Sequence, residues 1–138
     1  MNIIVCIDKN GGMMFNGQRQ SQDSILREKV MELSAGAKLW MNSYSAGQFG
    51  GFSEIQVSDH FLEEAKMGDF CFVEDRQIPL QDIEKIYVFH WNRKYPADMF
   101  FEFDLKANGF KREKKLEFAG SSHDKILLEI YKFGGISQ

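Results

Sequence analysis

The chain has 138 residues, 43% apolar and 27% charged, an ordinary composition for a folded protein and enough length for one domain, residues 1–138, with its own core. A net charge of −3 argues against a general electrostatic grip on nucleic acid. Cys6 and Cys71 both lie in apolar runs and are read as reduced core thiols of a cytoplasmic protein. The N-terminal apolar run is short, has no basic leader and ends at Asp8, which fits neither a signal peptide nor a membrane span.

Residues 2–7 form a continuous apolar run closed by Asp8, the pattern of a strand covered on both faces and so near the middle of a sheet. Residues 9–20 carry Gly11, Gly12 and Gly17 with Met13 and Met14, and are expected to be a loop lying over a pocket with the methionines exposed. A helix is expected over residues 22–34, with Leu26, Val30 and Leu33 on its apolar stripe, Ser21 as its cap and Asp23 answering the positive end of its dipole. Residues 38–41 follow closely enough to be a neighbouring parallel strand reached by a right-handed crossover. Residues 46–52 are glycine-rich and read as a loop, 54–58 as a short strand, 60–67 as a helix capped by Ser58 or Asp59, and 69–74 as a buried parallel strand.

Residues 85–91 alternate as a strand, with Ile86, Val88 and His90 on one face and Tyr87, Phe89 and Trp91 on the other. Pro96 ends any central strand there. Trp91, Arg93 and Tyr95 form either a cation and aromatic recognition surface or a core lining next to an exposed loop. Residues 110–118 have the charged pattern of a sheet edge. The last segment conflicts with itself: Ser121 to Asp124 and Gly134 suit the two ends of a helix, yet Ile126, Leu128 and Ile130 alternate as in a strand. None of His60, His90 and His123 has a metal-ligand spacing, and no metal is expected. Ser122, His123 and Asp124 are adjacent in the chain and cannot orient one another as a relay.

These pieces resemble dihydrofolate reductases. The likeness is carried by Asp8-Lys9-Asn10-Gly11-Gly12-Met13, by Lys38 to Ser45, by Lys85 to His90, by Ala97 to Phe101 and by Ser121-Ser122-His123, in that order along the chain. It implies an α/β fold, a single-domain dihydrofolate reductase-like mixed β-sheet flanked by a few helices, and it implies that the last segment is a strand. It also places the family's substrate-protonating carboxylate at Asp23, or at Ser24 if the alignment shifts by one, although the helix start is the plainer explanation of Asp23. The usual glycine-pair turn that opens a pyrophosphate-binding helix is replaced by Glu74-Asp75-Arg76-Gln77-Ile78-Pro79-Leu80-Gln81-Asp82-Ile83. Asn42-Ser43-Tyr44-Ser45 stands where Gly-Arg-x-Thr is usual, Phe89 stands for the threonine that supports the carboxylate, and no arginine stands for the one that grips folates.

The expected function is a repurposed or non-catalytic protein of this fold that binds a small ligand or a protein partner in a retained cleft. Cys6, Gly12, Met13, Met14, Arg19, Arg27, Asn42, Ser43, Ser45 and Phe89 are its candidate lining. The alternative is a divergent NAD(P)H-dependent reductase with Asp23 as proton donor, in which NADPH is held by non-standard contacts. Trp40 is expected to report on such binding. A nuclease or RNA-binding role through Arg19, Arg27, Arg93 and Lys94 has the least support. Short bacterial proteins of this kind are sometimes labelled ribonuclease Z, but that enzyme's His-x-His-x-Asp-His metal cluster is missing, so the label is not carried over.

Overall fold

The computed structural model describes residues 1–50 and 54–135. In chain order its elements are β1 (Asn2–Ile7), β2 (Gly12–Phe15), β3 (Gln18–Arg19), α1 (Ser24–Leu33), β4 (Leu39–Met41), α2 (Ser43–Phe49), β5 (Ile55–Val57), α3 (Phe61–Glu64), β6 (Phe70–Phe72), β7 (Lys85–His90), β8 (Met99–Phe100), β9 (Phe110–Phe118) and β10 (Ile126–Phe133). Seven strands form a sheet in the order β5-β4-β6-β1-β7-β10-β9, and β3-β2-β8 form a smaller one. From β5 to β7 every pairing is parallel, and β10 and β9 are added antiparallel, so the sheet is mixed.

The continuous apolar run of β1 is explained by its position, paired with β6 on one side and β7 on the other and packed on both faces. Ile4 joins Leu26 and Val30 of α1 and Phe49 of α2 in one core, while Ile3 and Val5 join Met13, Met14 and Phe61 of α3 in the other. The two faces expected for residues 85–91 hold: Tyr87, Phe89 and Trp91 point into the first core, Ile86 and Val88 into the second. β9 is the charged edge strand, and β10 is a strand because Ile126, Leu128 and Ile130 fill the first core while both sides of its backbone are paired. Local helix signals at its two ends lose to that burial.

Several expectations are corrected. β4 is not the neighbour of β1, because β6 inserts between them. Residues 46–49 belong to α2 rather than to a loop, with Asn42 capping its first turn and Gly50 ending it; residues 51–52 of the expected loop lie outside the described residues. α3 stops after Glu64, since Ala65 is already extended. The largest correction concerns residues 9–20, which form a hairpin. Phe15 pairs with Gln18 around Asn16 (φ 53°) and Gly17 (φ 71°), the two consecutive positive angles that a tight two-residue turn needs. β2 also pairs with β8, and Met13 and Met14 are buried rather than exposed.

Gly12 is where this hairpin lies closest to the body of the protein. A Cβ there would sit 2.6 Å from the Ala97 Cβ and 2.9 Å from an Asp8 carboxylate oxygen. The Gly12→Ala variant is expected to lose about 2 kcal/mol of stability from this overpacking. Urea titration measures it, and an unchanged midpoint would mean that the hairpin is free to lift.

Candidate active-site cleft

Because β4, β6, β1 and β7 are parallel, their carboxyl ends share one edge of the sheet, where open α/β sheets place ligands. Two strands end there in buried acids. Asp8 follows β1 and accepts from the backbone N–H groups of Asn10 (2.8 Å), Gly12 (2.8 Å) and Tyr95 (3.2 Å) and from Gln20 Nε2 (2.9 Å). Burial alone would raise its pKa, but these donors hold it below the ordinary aspartate value. Asp8 thereby ties the hairpin to the loop after β7.

Glu74, 8% exposed, stands just beyond β6 and turns inward. Arg19 of β3 reaches it with Nε at 3.0 Å and Nη2 at 3.2 Å, and Ser45 Oγ donates at 2.7 Å. Arg19 also donates to the Tyr44 carbonyl at 3.1 Å and lies over the Tyr44 ring, 4.3 Å from its centroid. Asp75 accepts from Asn42 Nδ2 at 2.9 Å and pairs with Arg76 at 2.8 Å. Cys6 lies at the same edge. Burial pushes its thiol well above the ordinary cysteine value, the Glu74 charge adds to the rise and Arg19 opposes it, so it is a poor nucleophile. Cys71, deep in the sheet, is pushed up to about 12 by burial. The two cysteines are unbonded thiols, and only Cys71 is fully buried.

Between the hairpin and α2 opens a cavity of about 400 Å³ lined by Met14, Gly17, Tyr44, Asp75, Asp98 and Met99. Its walls are two thioethers and a phenol, with two carboxylates at the rim. The structure therefore brings Met14, Arg19, Asn42, Ser45 and Cys6 to one edge, with Gly12 packed behind them. It does not bring the rest. Met13 is in the second core, Phe89 is fully buried against Phe118, Ser43 is exposed on α2, and Arg27 donates to Gln22 on α1. Glu74, Asp8, Tyr44 and Asp98 were not among the candidates. An acid closing an otherwise apolar strand was the available signal for the first two.

The expected cap of α1 is corrected at Asp23. That residue, rather than Ser21, caps α1, accepting from the Ile25 and Leu26 N–H groups at 2.9 and 3.1 Å. The same carboxylate accepts from Ser121 N (3.0 Å), Ser122 N (2.8 Å), Ser122 Oγ (3.1 Å) and His123 Nδ1 (3.2 Å). Burial opposes its charge, yet these donors outweigh that and hold its pKa well below the usual carboxylate range. Trp40 also faces away from this edge, its indole donating to Asp69 at the opposite end of β6 at 3.0 Å.

No protein-family model and no curated protein sequence matches the chain. Among solved structures, a dihydrofolate reductase from Enterococcus faecalis, complexed with NADP(H) and RAB-propyl, superposes with a TM-score of 0.68 over 97% of this chain and 96% of that one, at 11% identity. The fold is that of dihydrofolate reductase. Within that fold, residues 73–84 run from β6 to β7 with no helix among the described residues, so the expected departure at Glu74 extends to the backbone. Among the described residues no group of three or more His, Cys, Asp or Glu side chains is placed to hold a metal ion. No helix among them is long and apolar enough to cross a membrane.

Proposed function

We propose that this chain is a repurposed dihydrofolate reductase fold that binds a small, partly apolar cation in the cavity between the hairpin and α2. The observation that carries this reading is the buried Glu74, clamped by Arg19 and Ser45 at the end of β6. A dinucleotide phosphate at the end of β6 would meet a fixed carboxylate and a second one at Asp75, with no helix opening between β6 and β7 among the described residues to receive it. The arginines that reach these two acids are engaged by them, Arg19 by Glu74 and Arg76 by Asp75. A flat amine instead finds the Tyr44 ring, the thioethers of Met14 and Met99, and the Asp98 carboxylate.

Calorimetric titration tests both halves. NADPH is expected to give no saturable heat up to millimolar concentration, whereas phenethylamine is expected to bind and to weaken about threefold in Asp98→Asn, the loss of one partly solvated ion pair. Micromolar NADPH binding would overturn the reading and reopen the reductase alternative.

A further inference from the structure

The loop before β10 folds back on the start of α1 through His123, and the contacts there form a relay away from the cavity. His123 Nδ1 lies 3.2 Å from Asp23 Oδ2, and Nε2 lies 3.2 Å from Ser21 Oγ and 2.9 Å from Tyr95 Oη. Ser122 Oγ bridges the Nδ1 side, 3.0 Å from that nitrogen and 3.1 Å from Asp23. The Trp91 ring stacks on the imidazole at 4.6 Å between centroids and fixes its plane. His123 and Asp23 are buried, while Ser21 is half-buried among the exposed Gln22, Ser121 and Ser122.

An ionised Asp23 makes Nδ1 the nitrogen that carries hydrogen, so Nε2 presents its lone pair to the two hydroxyls. Helix capping accounts for Asp23 alone. It gives no reason for a buried histidine held by that aspartate to offer its far nitrogen to a reachable serine. Residues that are adjacent in sequence could not form this relay, but Ser21, Asp23 and His123, drawn from two segments about a hundred positions apart, do.

We propose that Ser21 is a nucleophile with His123 as its general base, acting on small carboxylic esters. Asp23 is a positioning residue, setting the tautomer and orientation of the ring. In the step, the Ser21 Oγ proton passes to His123 Nε2 as Oγ bonds to the acyl carbon. The ester C–O bond then breaks, the leaving alcohol takes the proton back from His123, and water hydrolyses the acyl-serine by the same route. The Gln22 N–H, next to the nucleophile, donates to no protein acceptor among the described residues and is available to a developing oxyanion. Tyr95 competes with Ser21 for one lone pair, and its shorter contact makes it the resting partner.

The test is reaction of the full chain with an alkyl fluorophosphonate, which forms an Oγ–P bond and releases fluoride, followed by intact-mass and peptide analysis. One adduct is expected, on Ser21, absent in Ser21→Ala and at least about 100-fold slower in His123→Gln. Tyr95→Phe, which removes only a hydroxyl, is expected to label several-fold faster because Ser21 gains sole use of Nε2. Asp23→Asn, measured on the folded protein, is expected to lower the maximal labelling rate and leave the half-saturating probe concentration unchanged. The proposal is overturned by no adduct, by an adduct elsewhere, or by a His123→Gln rate equal to wild type. If His123→Gln does not fold, a Tyr95→Phe rate that is unchanged or lower overturns it.

Discussion

Replacing Asp23 by Ala is expected to cost about 4 kcal/mol, the largest effect of any single carboxylate in the chain. Loss of an N-cap contributes about 1 kcal/mol, the buried His123 Nδ1–H, left without its acceptor, about 1 to 3 kcal/mol, and the Ser121 and Ser122 amides, which water can reach, about 0.5 to 1 kcal/mol each. Since a domain of this size is held by only about 5 to 15 kcal/mol, the melting temperature should fall by more than about 10 °C. The same residue predicts a pH dependence. Its folded pKa is depressed, so the unfolded chain binds the proton more readily. Its contribution is therefore complete above the ordinary aspartate value, about 4, and is lost as pH falls through the lower folded value. Urea midpoints measured downward from neutral pH should fall in the wild type and fall less in Asp23→Asn. Asp8, Glu84 and Glu129, also depressed, leave some slope in the variant. Equal slopes in the two proteins would show that Asp23 is not held as an anion.

The strands were legible where one physical demand governed a whole segment. After Asn2, β1 is apolar throughout, as is β6, because both are covered on both faces, and β9 is charged because one of its sides has no partner strand among the described residues. The hairpin over residues 12–19 was also written in the sequence, as Asn16-Gly17 between two short paired runs. Three glycines and two methionines suggested a loop more strongly than that dipeptide suggested a turn. For β10 the local helix signals were real but weak beside the burial of Ile126, Leu128 and Ile130, which depends on neighbours far away in the chain.

The candidate site was legible only in part, for a related reason. Arg19 and Ser45 were recognised as polar groups near an expected cleft, but their common partner is Glu74, and no periodicity announces which way a residue beyond a strand's end will turn. His123 offers the same lesson. Its neighbours in sequence suggested a relay that the backbone forbids, while its partners beyond Ser122, namely Ser21, Asp23 and Tyr95, come from α1's approach and from the loop after β7.

Arg19→Met is expected to destabilise the protein by about 3 kcal/mol, and the double variant Arg19→Met/Glu74→Gln to recover most of that loss. The Glu74 side chain is 8% exposed, so removing Arg19 leaves a buried charge with Ser45 Oγ, at 2.7 Å, as its one remaining donor among the described residues. Arg19 itself is 19% exposed, which keeps the cost at the lower end for a buried pair. Neutralising Glu74 in the second step removes the stranded charge, so the two substitutions must be strongly non-additive. Urea unfolding of the wild type, both single variants and the double variant measures that coupling. Additive losses would mean that solvent reaches Glu74 and screens it. In that case the carboxylate would be no fixed obstacle to a phosphate at the end of β6, and the reading of this edge as closed to dinucleotides would lose its main support.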